Sequence, residues 1–313
     1  RADLESTMVA EAVVKLDGLT IRYGKLTAVE DLSLDVAKGG VYALLGRNGS
    51  GKSSTVRCVL GQQRPTAGRS RILGFDSWKK RRRAMERVGV VPENPDVPPE
   101  TTADRMERFM ARVTPFWRSA NYFGRLERFR VPRKQRFTRL SKGQQRQLAL
   151  ALALAGSPRL LVLDDPTLGL DAVARRKLYE ELVGELADRG TTVFLTTHDL
   201  TGIEGIADQV GVLREGTLLV DEPLEVLKAR YCRLVWTAPE GLSLQRIESG
   251  LQHLGVVESG SAAGANQAVV EKFSELGFDR FRQEAGVDVT RIDSLSLEEI
   301  FILLCGEDRG GRS

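Results

Sequence analysis

Residues 46 to 53 read Gly46-Arg47-Asn48-Gly49-Ser50-Gly51-Lys52-Ser53, the spacing G-x-x-x-x-G-K-S. Glycines so placed let successive backbone N–H groups converge on phosphate oxygens, and a helix starting there adds the positive end of its dipole. Lys52 reaches the outer phosphates and the Ser53 hydroxyl is a ligand for Mg²⁺; Ser54 is grouped with them as a candidate nucleotide contact. Further on, the apolar run Leu160-Leu161-Val162-Leu163 ends in two adjacent carboxylates, Asp164 and Asp165. A later run closes on Thr196-Thr197-His198-Asp199 and sets one of the chain's 2 histidines at a strand end. Phosphate-cradling glycines, a lysine, a hydroxyl and paired acids together fit phosphate chemistry with a divalent cation. The loop alone does not separate the several nucleotide-using classes that carry it.

These residues need an α/β frame. Val41 to Leu45 is an apolar run that meets Gly46 and passes into a helix to about Leu60, a strand, glycine-rich loop and helix in succession. Short strands are expected at Ala12–Leu16, Thr20–Tyr23, Leu32–Val36, Val88–Val91, Leu160–Leu163, Thr192–Thr197, Val210–Leu213 and Leu218–Val220. Strands alternating with helices, one over about Ala172–Asp188, imply a parallel sheet. An antiparallel part is expected near the N-terminus, with an inserted helical subdomain over about 93–157. Within it Met106, Phe109, Met110 and Val113 fall on one helix face, with Thr101-x-x-Asp104 as its cap. The first domain is placed at 12–222. Residues 223–313 lack phosphate-binding motifs and read as a small α+β accessory domain. It is expected to hold strands at Arg233–Thr237 and Val287–Ile292, helices at Leu244–Leu254, Ala268–Leu276 and Leu297–Cys305, and a loop at Ser259–Gly264.

Leu140-Ser141-Lys142-Gly143-Gln144 resembles the ABC signature L-S-G-G-Q. Together with the phosphate loop it identifies residues from about 12 to 230 as similar to the nucleotide-binding domain of ATP-binding-cassette (ABC) ATPases. Ser141, the Gly143 N–H and the start of the helix from Lys142 form a second anion site, to which Gln144 belongs. Such a site makes sense if it covers the γ-phosphate held by a partner subunit. By the same resemblance Leu160–Asp165 is the Walker B motif: Asp164 holds Mg²⁺ through water and Asp165 orients or activates the attacking water. Pro166 to Asp171 matches the D-loop, with Asp171 contributing across a dimer, and His198 matches the switch histidine on the γ-phosphate. Tyr23 stands where the family places an aromatic on adenine, and Glu93 occupies the Q-loop, which senses Mg²⁺ and the membrane partner.

Three positions depart from the family pattern: Glu93 for Gln, Lys142 for Gly and Asp165 for Glu. The ending Ser296-Leu297-Glu298-Glu299-Ile300-Phe301 is similar to the tail of the ABC-2-type, drug-resistance-like export ATPases, which often carry Glu in the Q-loop. The resemblance implies ATP and Mg²⁺ as cofactors, ATP hydrolysis, a homodimer or paired cassette, and a separate integral membrane permease driven for export. An alternative is a regulatory nucleotide-binding module with little turnover, which the shorter Asp165 side chain keeps open.

Composition narrows the partners. With 42% hydrophobic and 28% charged residues the chain is expected to be globular, and no apolar run reaches the roughly 18 residues of a membrane span. The opening Arg-Ala-Asp-Leu-Glu shows no basic-then-apolar leader, so a cytoplasmic protein held peripherally by its permease is expected. The 3 cysteines, Cys58, Cys232 and Cys305, are far apart, against a disulfide framework or zinc site. Net charge is +4, with basic residues crowded at Lys79–Arg83 and Arg125–Arg139. These read either as solvated helix faces or as contacts to anionic headgroups or a membrane partner. No nucleic acid is expected, because no binding motif accompanies the charge.

Overall fold

A computed structural model describes residues 12–237, 247, 251, 253–262 and 265–306. The chain divides into two compact units, the first ending at Asp221 and the second beginning at Glu222.

In the first unit, β1 (Ala12–Tyr23) and β2 (Leu26–Ala37) make a long antiparallel hairpin whose alternate residues turn inward. β3 (Val41–Leu45) is buried at every position, as a strand covered on both faces must be. The phosphate loop and α1 (Lys52–Val59) follow it. β4 (Ala67–Ile72) and β5 (Phe75–Asp76), neither of them expected, complete an antiparallel sheet in the order β2-β1-β4-β5. After α2 (Arg81–Met85) and β6 (Val88–Val91) come the inserted helices α3 (Ala103–Val113), α4 (Ser119–Arg128) and α5 (Lys142–Ala155). Then follow β7 (Leu160–Asp164), α6 (Ala172–Arg189), β8 (Thr192–Thr197), α7 (Leu200–Ile203), β9 (Gln209–Arg214) and β10 (Thr217–Pro223). The second sheet runs β10-β9-β3-β8-β7-β6, and the five strands from β9 to β6 are mutually parallel. All five therefore end at one edge, where loops carrying chemistry gather in open α/β sheets.

The expected α/β core, antiparallel N-terminal part and inserted helices are all present. The helix cap differs by one residue: Thr102, not Thr101, accepts from Arg105 N at 3.3 Å. Of the apolar face on α3, Met106 is buried while Phe109 and Val113 remain exposed. The basic stretch from Arg125 is not simply a solvated face. Arg125 is buried on α4, its Nε donates to Glu181 Oε1 at 2.9 Å, and its guanidinium also meets Glu185 on α6. Arg128 Nη1 donates to the other oxygen of Glu181 at 2.7 Å.

The second unit holds α8 (Leu224–Arg230), β11 (Cys232–Thr237), β12 (Val256–Ala262), β13 (Ala265–Val270), α9 (Glu275–Ala285), β14 (Asp288–Ser294) and α10 (Leu297–Cys305). Its antiparallel sheet, β12-β13-β11-β14, carries a core of Leu234, Trp236, Ala268, Val270 and Phe281. Two expectations fail here. Ser259–Gly264 is not all loop, since β12 extends to Ala262. The helix expected from Ala268 is strand β13, with Ala268 opposite Leu234 and Val270 opposite Cys232. An apolar pair at that spacing suits either period, and the cross-strand partner decides. The helix expected over Leu244–Leu254 lies largely outside the described residues, although Ile247 and Leu251 are described and buried.

Candidate functional site

The phosphate loop is built by close approaches of backbone. At Gly46 a Cβ would collide with the Ser50 hydroxyl and the Leu213 carbonyl, and at Gly51 (φ 106) with the Ala28 carbonyl, 2.5 Å away. Only glycine fits at these two positions. Lys52 Nζ donates to the Gly46 and Arg47 carbonyls at 2.7 and 3.0 Å, so the ammonium bends back over the loop. Ser50 Oγ is buried without a hydrogen-bond partner. Tyr23 lies beside the loop's helix, its hydroxyl bonded to Gln63 Oε1 at 2.6 Å and Ser54 Oγ at 3.2 Å, with its ring partly exposed.

The strand order brings the acids to this loop. Asp164 ends β7, and Ser53 Oγ donates to its Oδ1 at 3.3 Å. The same oxygen accepts from Thr196 Oγ1 at 2.6 Å, since Thr196 stands opposite Asp164 on β8. Ser53 and Asp164 thus present hard oxygen donors side by side, the set that Mg²⁺ takes when phosphate and water supply the rest. Among the described residues no cluster of three His, Cys, Asp or Glu could hold a metal by itself. Asp165 has φ 46, in the left-handed region, and its backbone N–H donates to the Thr196 carbonyl at 3.0 Å. That turn aims the carboxylate at His198, Oδ2 to Nδ1 2.7 Å, and leaves Oδ1 buried without a partner.

The signature residues open the inserted helix α5. Ser141 caps α5: its Oγ accepts from Gln144 N at 3.2 Å, while Gln144 Oε1 accepts from Ser141 N at 3.0 Å. Gly143 lies near Leu170 and Ala174, and Asp171 caps α6 by accepting from Ala174 N at 2.7 Å.

Two residues were missed. Thr196 is found only once the β7–β8 register is known. Arg146, one turn into α5, is buried, and its Nη1 donates to the Pro92 carbonyl at 2.7 Å. Burial lowers its pKa from the usual arginine value, against the opposing pull of the Asp165, Glu93 and Asp164 carboxylates. Glu93 itself accepts from Asn94 Nδ2 at 3.4 Å and so sits within the field of Arg146 rather than bonded to Ser53 or Asp164. A lone arginine on a Leu/Ala-rich helix was the available signal.

A family model described as ABC transporter matches residues 29–168. A bacitracin transport ATP-binding protein of Bacillus licheniformis is 30% identical over 305 residues, spanning 94% of this chain and 97% of that protein. The chain belongs to the ABC transporter family. Within it, the chain is an ATP-binding subunit and an ATP hydrolase. A Nod factor export ATP-binding protein of Paraburkholderia xenovorans is 37% identical over 221 residues, 67% of this chain and 71% of that protein. A daunorubicin resistance ATP-binding protein of Streptomyces coeruleorubidus is 30% identical over 311 residues, covering 96% and 98%. Among solved structures, the ATP binding subunit of an ABC transporter matches with a TM-score of 0.63 at 26% identity, covering 69% of this chain and 92% of that one. A dimeric cassette in a post-hydrolysis state with ADP and Pi shares the fold at a TM-score of 0.61 and 24% identity, over 67% of this chain and 98% of that chain.

Proposed function

We propose that this subunit powers export through a separate membrane permease, pairing head to tail with a second cassette and closing on ATP. The observation that carries the reading is the gathering of the phosphate loop, Asp164, Asp165 and His198 at one sheet edge, while the Ser141 turn caps a helix of the inserted subdomain. One half of a nucleotide site is then offered at each place, and two chains complete two sites. The relatives named for bacitracin transport and daunorubicin resistance run through the second unit as well, which supports an export role for this chain.

In this reading Lys52 and the loop N–H groups bind the phosphates, and Ser53 and Asp164 hold Mg²⁺, which neutralises charge on the phosphoryl group when bound. Asp165, oriented by His198, accepts a proton from the attacking water. Ser141 and Gly143 of one chain cover the γ-phosphate held by the other, with Asp171 beside them, and Tyr23 stacks on adenine. Glu93 and Arg146 sit where loop and helix meet, suited to pass the state of the nucleotide to a permease. No helix among the described residues is long and apolar enough to cross a membrane. The spanning part is then assigned to another chain, with this one on the cytoplasmic face.

Equilibrium binding of a fluorescent ATP analogue tests the assignment. Lys52→Ala removes a point charge from the phosphates and is expected to weaken MgATP by roughly tenfold or more, with the thermal midpoint kept. Unchanged affinity overturns it.

A further inference from the structure

The parallel sheet has a second edge. Where the nucleotide residues follow the strands, a different set precedes them: Lys38 before β3, Arg87 before β6, Arg159 before β7 and Arg189 before β8. With Arg118 and Ser157 they line a cavity of about 530 Å³. That volume is in the range of small-ligand sites, roughly 300–1,000 Å³, which are usually apolar, whereas this wall carries five cations. No Asp or Glu lines it.

Several arginines elsewhere in the same unit meet a carboxylate: Arg125 with Glu181, Arg133 with Asp104, Arg136 with Glu100 and Arg175 with Asp199. In the cavity, Lys38, Arg118 and Arg159 have no side-chain hydrogen bond or ion pair among the described residues. The other two cations are held in place. Arg87 lies over the Phe116 ring, 3.7 Å to its centroid, and its Nη1 donates to the Ser157 carbonyl at 3.1 Å. Arg189 Nη1 donates to the Ser157 hydroxyl at 3.4 Å, and its Nε reaches Glu185 at 3.6 Å. Ser157, which bonds both, has a left-handed backbone at φ 48, a strained state for serine of the kind that gathers at ligand sites. Converging cations in a concave wall repel one another and focus positive potential until an anion enters. Guanidinium groups match phosphate oxygens in geometry as well as charge.

We infer that this cavity, at the sheet edge opposite the nucleotide, binds a multivalent phosphate anion, whether a free polyphosphate or a phosphate-bearing lipid headgroup. The inference does not depend on the export reading.

Calorimetric titration of the full chain with sodium tripolyphosphate tests it, with the phosphate loop first filled by a non-hydrolysable ATP analogue with stoichiometric Mg²⁺, and with the heats of the same titration without protein subtracted. One further saturable event is expected. The double variant Lys38→Gln and Arg159→Gln is expected to weaken it by roughly tenfold or more, leaving the analogue's affinity and the thermal midpoint as in wild type. Both side chains are exposed, so the change leaves the core intact; Arg118→Gln serves as an independent second variant. Co-sedimentation with phosphatidylcholine vesicles, with and without phosphatidic acid, separates the sources. Wild type that sediments with acidic vesicles, is released by tripolyphosphate, and is matched by a variant that stays in solution assigns a headgroup. Tripolyphosphate binding without vesicle binding assigns a free phosphate. No second event, or one of equal affinity in the variants, overturns the proposal.

Discussion

Asp165 and His198 are joined side chain to side chain, Oδ2 to Nδ1 at 2.7 Å, from the ends of adjacent parallel strands. The pairing depends on the left-handed turn at Asp165, a conformation that Asp and Asn adopt far more readily than other residues with a Cβ. Asp165→Asn should therefore keep the fold and MgATP binding while turnover falls on the order of 10²-fold, the scale of a lost general base. Steady-state phosphate release beside equilibrium binding checks this, and wild-type turnover removes Asp165 from the chemistry. Asp165→Glu should hydrolyse faster, because the added methylene would extend the carboxylate by roughly 1–1.5 Å toward an attacking water. The variant should also lose about 1 kcal/mol of stability to the left-handed turn. Equal or slower turnover, alone and with the permease, would mean that the length of the Asp165 side chain does not limit hydrolysis.

Arg146 ties the signature helix to the loop that carries Glu93. Arg146→Met should lower stability by about 1–3 kcal/mol, since the Pro92 carbonyl loses its donor and three nearby carboxylates lose a compensating positive charge. Arg146→Lys should recover only part, because an ammonium does not reproduce the planar fork. Urea unfolding of the three proteins is the measurement. Equal midpoints would leave Arg146 a bystander.

ATP should convert the chain from monomer to dimer when hydrolysis is blocked by Asp165→Asn. Adding Ser141→Arg should abolish the shift, seen by light scattering. That change also removes the cap of α5, worth about 1 kcal/mol, so circular dichroism must accompany it. Pairing that survives in a folded Ser141→Arg variant excludes the head-to-tail arrangement.

The buried ion cluster gives a stability test. Glu181→Gln leaves Arg125 and Arg128 short of an anion, and breaking a buried pair from one side costs about 3–5 kcal/mol. The loss should be read by thermal or urea unfolding of the whole chain. A change within about 0.5 kcal/mol would mean that Glu185 alone suffices for Arg125.

What could be read from sequence was what lies contiguous in it. The phosphate loop, the paired acids and the Ser141 turn each occupy a few consecutive residues whose chemistry is local. Thr196 on Asp164 and Arg146 on Pro92 join residues 32 and 54 positions apart, and only strand register and helix placement bring them together. The same limit explains Ala268, where the choice between helix and strand lay with Leu234. The buried state of Arg125 was hidden for another reason. Its partners Glu181 and Glu185 sit on a helix whose polarity looked like that of an exposed face.

That cluster has a mechanical consequence. Apolar helix contacts are non-directional and let neighbours slide, whereas charge-assisted hydrogen bonds weaken steeply with angle and distance. A joint of Arg125 between two glutamates one turn apart therefore behaves as a key in a slot. α6 runs back from Glu181 to its cap at Asp171, ten residues or about 15 Å of helix. A push on α4 is therefore expected to reach α6 through this joint, about 15 Å of helix from Asp171.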